Sequence, residues 1–130
     1  MDKKIYKREI FEEISKYLYD DGIIVLHGAR QVGKTHLLYY IKNYLKGRGE
    51  TTYYIDLEDE RFLDELNNGV GALTRMLEEK FEIKNFSAAK KLFVFIDEIQ
   101  YLNNPSSFLK LAADHYKHIK LIVSGSSSFA

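Results

Sequence analysis

The segment GARQVGKT, residues 28–35, has the spacing of a phosphate-binding loop. Gly28 and Gly33 allow the backbone to curl and to approach an anion without a Cβ clash. The helix expected to begin near Lys34 directs the positive end of its dipole at the same anion. Lys34 supplies a full charge for the β- and γ-phosphates, and the Thr35 hydroxyl is a suitable ligand for Mg²⁺. The sequence therefore predicts a site for the phosphates of a nucleotide.

The predicted nucleotide-binding residues form one continuous run, from the loop into the first turn of the following helix. They are Gly28, Ala29, Arg30, Gln31, Val32, Gly33, Lys34, Thr35 and His36. Within this run, Arg30 suits a contact with phosphate and a structural contact equally well. The tyrosine pairs Tyr39-Tyr40 and Tyr53-Tyr54 are interpreted as packing residues rather than as platforms for stacked bases.

An acidic pair follows the apolar segment LFVFI, residues 92–96. A phosphate-loop ATPase needs a second carboxylate to hold Mg²⁺ through its water shell, and Asp97 is suited to that role. Side chains alternate along a strand, so Glu98 can turn toward a water molecule and activate it against the γ-phosphate. The alternative is an ordinary solvated Asp-Glu pair. The presence of GARQVGKT upstream favours Asp97 as metal partner and Glu98 as catalytic base.

The serine turn SGSSS, residues 124–128, follows the last apolar segment. If that strand lies between the loop strand and the acidic strand, its end faces the γ-phosphate. A hydroxyl there can donate to the phosphate or to the attacking water, and Ser126 is the predicted catalytic hydroxyl, with Ser127 as the second choice. The alternative is a flexible serine-rich turn near the chain end.

Apolar segments with β-branched residues alternate with segments of helical periodicity. The predicted strands are IIVLH (23–27), TTYYIDL (51–57), KLFVFIDEIQ (91–100) and KLIVSGSSS (120–128). A first helix is predicted over about 5–19, with an apolar face of Ile5, Ile10, Phe11, Ile14, Tyr17 and Leu18, and a second from the loop to Gly47 or Gly49. One or two helices are predicted within 58–84, broken at Asn67-Asn68-Gly69, and a last helix begins at Pro105. Such alternation predicts an α/β three-layer sandwich with a mostly parallel sheet. The 130 residues are expected to form a single domain, with a nucleotide-binding core from about residue 22.

Composition excludes several classes of function. The chain is 45% hydrophobic and 29% charged, as in soluble globular proteins. Lys plus Arg number 19 and Asp plus Glu number 19, so overall charge gives no case for nucleic acid. The absence of cysteine excludes disulfides, thiolate metal sites and a cysteine nucleophile. No apolar run approaches the ~20 residues of a membrane span, and the charged N-terminus lacks the apolar core of a signal peptide. We therefore expect a cytoplasmic protein without a membrane partner.

The segments HGARQVGKTHLL, YYIDLED, FVFIDEIQYLNNPSSFLKLAAD and LIVSGSSS together resemble the AAA-type ATPase domain of a prokaryotic family. The resemblance covers essentially the whole chain. It implies the additional-strand, catalytic-glutamate class of P-loop proteins, with sheet order 5-1-4-3-2. By this resemblance Lys34 and Thr35 take the Walker A roles, Asp97 and Glu98 the Walker B roles, and the serine turn the first sensor position.

One departure from the family pattern affects the expected activity. The chain ends at Ala130, just after the first sensor position, whereas family members continue into a fifth strand, arginine elements and a C-terminal region with a nuclease-like fold. We therefore expect a fragment without its fifth strand. Nucleotide binding should survive, whereas hydrolysis should be slower because an arginine finger can contribute ~10³–10⁵ in rate. An uncovered sheet edge also favours self-association into a homo-oligomer.

The leading functional hypothesis is Mg²⁺-dependent binding and hydrolysis of ATP, with ATP preferred over GTP by resemblance. The first alternative is a nucleotide-gated switch, in which binding rather than turnover is the function. The second is a small-molecule kinase, which Glu98 disfavours because a kinase delivers phosphate to a bound acceptor rather than to water. The third is a DNA-associated motor, whose nucleic acid or protein client would be bound by the C-terminal region.

Overall fold

The structure, a computed structural model, describes residues 3–28, 33–81 and 90–126. Five α-helices occur in these ranges: α1 (Lys3–Ser15), α2 (Lys34–Gly47), α3 (Glu60–Leu66), α4 (Val70–Phe81) and α5 (Pro105–His115). They alternate with four strands: β1 (Ile24–His27), β2 (Thr51–Asp56), β3 (Leu92–Asp97) and β4 (Ile119–Gly125). A 3₁₀ helix, Ile99–Tyr101, follows β3. No helix in the described ranges combines the length and apolar character needed to cross a bilayer.

The four strands form one parallel sheet in the order β1-β4-β3-β2. This order places β4 between β1, which leads into the predicted phosphate loop, and β3, which ends in Asp97. It is the arrangement on which the predicted position of the serine turn depends. It also matches the expected order 5-1-4-3-2 for the four strands described. Because all four strands run in one direction, their carboxyl ends meet at a single edge of the sheet, where ligands bind in open α/β folds.

The central strand β3 is buried on both faces, and its side chains divide the core in two. Leu92, Val94 and Ile96 pack on the side covered by α3, α4 and α5. Phe93 and Phe95 pack on the opposite side, which is covered by α1 and α2. Helices therefore lie on both faces of a parallel sheet, which confirms the predicted α/β three-layer sandwich.

Two element boundaries follow from local chemistry as predicted. The segment 67–69 separates α3 from α4, and Gly69 there has φ 107°, a conformation that glycine adopts without steric cost. Pro105 is the first residue of α5, where a missing N–H costs no helical hydrogen bond.

The N-terminal helix ends at Ser15, earlier than the predicted residue 19. The Ser15 hydroxyl donates to the carbonyl of Glu12 at 2.8 Å, a local bond that competes with continued helix. A turn follows, in which Leu18 is fully buried but Tyr17 is 51% exposed. Tyr17 therefore does not belong to the apolar face on which the helical periodicity had placed it.

A buried lysine fastens this turn to the sheet. Lys120, at the start of β4, is 2% exposed, and its ammonium donates to the carbonyls of Asp20 and Gly22 at 2.7 Å each. Burial lowers the pKa of Lys120, and the positive charge of Lys91 acts in the same direction. The chain thus enters β1 from a turn that is held by a charge at the amino end of the sheet.

We expect Lys120→Met to lower the free energy of unfolding by about 1–3 kcal/mol, because the turn loses the charged donor that binds the carbonyls of Asp20 and Gly22. The pKa of Lys120 is lower in the folded state than its ordinary value of 10.5. Between the lowered pKa of the folded chain and the ordinary value of 10.5, the unfolded chain binds more protons than the folded chain. The stability advantage of wild type over Lys120→Met should therefore grow as pH rises from neutral toward 10.5.

Urea denaturation of both proteins across this pH range measures the effect. Lys110→Met, a change of the same kind at an exposed position of α5, should give a small and pH-independent difference. An advantage of wild type over Lys120→Met that stays constant or shrinks with rising pH would contradict the assignment.

Candidate functional site

The predicted phosphate loop connects the end of β1 to the start of α2 at the carboxyl edge of the sheet. Gly33 has φ 73° and ψ 32°, a left-handed conformation, and precedes α2 without a side-chain cap. Because glycine has no side chain, Gly33 makes no side-chain hydrogen bond to the first-turn amides of α2, an arrangement suited to binding an anion. Four of the predicted loop residues, Ala29, Arg30, Gln31 and Val32, lie outside the described residues. His36 lies on the exposed surface of the first turn of α2.

Lys34 joins two strand ends through its ammonium group. The side chain is buried, with 6% exposure, and Nζ donates to the carbonyl of Gly28 at 2.6 Å and to that of Gly125 at 2.8 Å. Gly28 follows β1 and Gly125 ends β4, and these two strands are paired in register. The Lys34 side chain is therefore positioned at the place where the predicted phosphate loop leaves the sheet.

The Asp97 carboxylate lies at the centre of the site and is 4% exposed. Its Oδ2 accepts hydrogen bonds from the Thr35 hydroxyl at 2.8 Å and from the Tyr54 hydroxyl at 2.6 Å. Its Oδ1 accepts a hydrogen bond from the hydroxyl of Ser124. The structure thus brings together Thr35 and Asp97, the two residues that the sequence predicts as metal partners.

The donor set of Thr35 and Asp97 fits Mg²⁺ by its chemistry. Both supply oxygen atoms, which this hard cation prefers: the Thr35 hydroxyl is suited to direct ligation, and the Asp97 carboxylate to a contact through the water shell of the ion. Within the described ranges, no group of three or more His, Cys, Asp or Glu side chains is arranged to hold a metal ion. A site of the kind that Mg²⁺ shares with phosphates is therefore the type of metal site that these residues support.

Tyr54 is a site residue that the sequence analysis interpreted as packing. It lies on β2 and is partly buried, and its ring stacks on Tyr39 with centroids 4.4 Å apart. Burial raises the pKa of Tyr54, and the hydrogen bond to Asp97 raises it further, so the hydroxyl remains a donor across the physiological range. The register that pairs Asp56 with Asp97 brings β2 alongside the acid. That register depends on strand order, so no local sequence signal points to Tyr54.

Ser124 is the second residue that was missed. It is fully buried in β4, and besides donating to Asp97 its hydroxyl accepts a hydrogen bond from the backbone N–H of Glu98 at 3.2 Å. A signal for it existed in the sequence, since it is a polar residue that directly follows the apolar run Leu121–Val123. Ser126, the predicted catalytic hydroxyl, lies two residues further along the same turn.

Glu98 leaves the strand in an unusual conformation. With φ 64° and ψ 49° it is the one non-glycine residue with positive φ among the described residues, and it precedes the 3₁₀ helix. This conformation costs roughly 1–3 kcal/mol and is found mainly where function requires it. The Glu98 carboxylate accepts a hydrogen bond from the amide of Gln100 at 2.5 Å, whereas Asp97 faces Thr35. The two adjacent acids therefore point to different partners.

The serine turn lies next to this acid. Ser126 directly follows β4, and its backbone N–H donates to the Gln100 side-chain oxygen at 3.1 Å. The catalytic role of the Ser126 hydroxyl stays a prediction, and Ser127 lies outside the described residues.

These features define a P-loop nucleotide-binding fold. The sheet is parallel, a loop bounded by glycines follows β1, a lysine and a threonine open α2, and an acid ends β3. Residues 20–130 match the family described as AAA domain, and the chain belongs to this family. The predicted AAA-type family is thereby confirmed, and membership indicates nucleotide binding of the ATPase type. Comparison with the sequences of curated proteins finds no match.

We expect Tyr54→Phe to lower the free energy of unfolding by about 1–2 kcal/mol, because a buried carboxylate loses one of its hydroxyl donors. Urea denaturation measures this change. Tyr53→Phe is the matched control, because its ring packs against Phe81 on the other face of the same strand, and it should change stability by less than about 0.5 kcal/mol. Equal effects of the two substitutions would show that the bond to Asp97 contributes nothing.

Proposed function

We propose that this domain binds ATP together with Mg²⁺ and hydrolyses it. The observation that carries the proposal is the contact of 2.8 Å between Thr35 and Asp97, which joins the start of α2 to the end of β3. The ammonium of Lys34 supports it, since it lies where the phosphate loop leaves the sheet and is held there by carbonyls of two strand ends.

Each residue has one role in this proposal. The backbone amides of the loop and the Lys34 ammonium hold the β- and γ-phosphates. Thr35 and Asp97 would hold Mg²⁺, which when bound neutralises charge on the phosphate oxygens. Glu98 orients a water molecule and accepts its proton, and the Ser126 hydroxyl donates to the γ-phosphate or to that water.

The proposed reaction transfers the γ-phosphoryl group to water. The water oxygen forms a bond to the γ-phosphorus while the bond from that phosphorus to the bridging oxygen breaks, and ADP leaves with the electron pair. The proton released by water passes to the Glu98 carboxylate. The phosphate produced is inorganic, which distinguishes this reaction from that of a kinase.

A nucleotide-gated switch is the second candidate. The observation that favours it is the hydrogen bond of 2.5 Å from Gln100 to Glu98, because it occupies Oε2 of Glu98 and leaves only the other carboxylate oxygen for a water molecule. Under this alternative the domain responds to bound nucleotide and turns it over slowly. The rate of phosphate release and its dependence on Glu98 separate the two functions.

Calorimetric titration with ATP, with and without Mg²⁺, tests the binding site. We expect Mg²⁺-dependent binding that Lys34→Ala weakens about 10–100-fold or more, because the substitution removes a charged donor to phosphate. Lys46→Ala removes the same charge from an exposed position on the same helix and should leave binding unchanged.

Lys34 also bonds two carbonyls, so urea denaturation must show that Lys34→Ala is folded. A second pair of variants keeps the test independent of that outcome. Thr35→Ser retains the hydroxyl and should retain the Mg²⁺ dependence, whereas Thr35→Val should lose it. Mg²⁺-independent binding by folded wild-type protein, or equal behaviour of Thr35→Ser and Thr35→Val, would refute the metal role.

Single-turnover release of phosphate tests the catalytic base. We expect Glu98→Gln to slow release about 10²–10⁴-fold, because it removes the proton acceptor, while the affinity for ATP with Mg²⁺ stays unchanged. Glu65→Gln, an exposed change on α3, is the control and should have the wild-type rate. Release at the wild-type rate by Glu98→Gln would remove Glu98 from the mechanism and leave the switch as the better account.

A further inference from the structure

The side-chain amide of Gln100, in the 3₁₀ helix, is bonded at both ends. Its nitrogen donates to Oε2 of Glu98 at 2.5 Å, and its oxygen accepts from the backbone N–H of Ser126 at 3.1 Å. A backbone N–H can only donate, so the amide oxygen must face Ser126 and the NH₂ group must face the carboxylate. The orientation of the amide is therefore determined by its two partners.

Ser126 connects this bridge to the phosphate side of the sheet. It directly follows Gly125, whose carbonyl accepts the hydrogen bond of 2.8 Å from Lys34. Gly125 also pairs with His27 at the end of the strand that leads into the phosphate loop. Gln100 thus links Glu98 to the strand end that holds the proposed phosphate-binding lysine.

The backbone of Glu98 is held, but this does not by itself direct its carboxylate. The N–H of Glu98 donates to the Ser124 hydroxyl at 3.2 Å, and its left-handed conformation sets where the side chain begins. The Glu98 side chain then has three rotatable bonds before the carboxylate oxygens. A base must hold a water molecule at hydrogen-bond distance and in line with phosphorus, so its oxygens need a further anchor. The Gln100 amide supplies a donor at that point.

We propose that Gln100 is a positioning residue for hydrolysis. Its NH₂ group orients the Glu98 carboxylate, and its oxygen takes its own position from the backbone of Ser126. This inference rests on the proposed function, in which Glu98 accepts the proton of the attacking water. Gln100 acts through Glu98, and no proton passes to or from its amide.

Two variants of Gln100 separate positioning from a structural role. Gln100→Leu removes both hydrogen bonds, whereas Gln100→Glu keeps the size of the side chain and an acceptor for the Ser126 N–H but cannot donate to Glu98. We expect both to lower kcat for ATP hydrolysis about 10–100-fold, the range expected when a reacting group is displaced. The KM for ATP with Mg²⁺ and the affinity for ADP should remain as in wild type.

A residue that only held the serine turn in place would be rescued by glutamate. Wild-type kcat in Gln100→Glu would therefore overturn the proposal. This variant also carries the test if urea denaturation shows that Gln100→Leu does not fold. The double variant Glu98→Gln with Gln100→Leu should be no slower than Glu98→Gln alone, because Gln100 acts through Glu98. A further loss in the double variant would mean that Gln100 acts elsewhere, which also overturns the proposal.

Failure of this inference and failure of the proposed function give different results. If Glu98→Gln slows hydrolysis but Gln100→Glu does not, Glu98 remains the base and the positioning role is wrong. If Glu98→Gln hydrolyses ATP at the wild-type rate, Glu98 is not the base, and both are wrong.

Discussion

The hydrogen bonding of one buried carboxylate determines how the functional edge of this domain is assembled. Asp97 is nearly inaccessible to water, and burying such a group is costly unless other polar groups replace the lost hydration. Hydroxyls from α2, β2 and β4 do this, through Thr35, Tyr54 and Ser124. Three elements are thereby joined to the end of β3, each in the register that brings its hydroxyl within reach. A change in any of these registers would leave a buried polar group without its partner.

The two ends of the sheet are stabilised in different ways. At the carboxyl end, Lys34 and the Asp97 hydroxyl contacts form a polar network in which the atoms that would bind phosphate and metal are already positioned. At the amino end, Lys120 closes the turn before β1 with bonds to two carbonyls. Between them the core is apolar and is split by the alternating side chains of β3. This core fixes the relative positions of the strands, and the strands fix those of the site residues.

Glu98 lies where the regular structure stops. Its left-handed backbone turns the chain out of β3, so that Asp97 stays in the buried network while Glu98 projects toward Gln100. Adjacent acids thereby receive separate surroundings, although they are neighbours in the chain. The Glu98 N–H donates to the Ser124 hydroxyl, and this bond ties the turn to β4. Under the proposed function, this separation lets Asp97 hold the metal while Glu98 holds the attacking water.

The features that could be predicted from the amino-acid sequence are those that depend on neighbours along the chain. Spacing of glycine, lysine and threonine predicted the phosphate loop, and an apolar run followed by acids predicted Asp97 and Glu98 as site residues. Alternation of strand-like and helical segments predicted the layered fold, because each pattern reflects burial on one face or on two. The helix break at 67–69 followed from turn-forming residues alone.

What only the tertiary structure decided depends on contacts between strands that are far apart in the sequence. Tyr54 became a partner of Asp97 through the pairing of β2 with β3, and Ser124 through the place of β4 between β1 and β3. Which serine of the turn reaches Asp97 depends on a strand register that local patterns do not contain. The role of Gln100 as a bridge likewise exists only because the 3₁₀ helix lies against the end of β4. Periodicity along one strand shows which side chains share a face. Hydrogen-bond partners across a parallel sheet are instead set by strand order and register, because these arise from the packing of the whole domain.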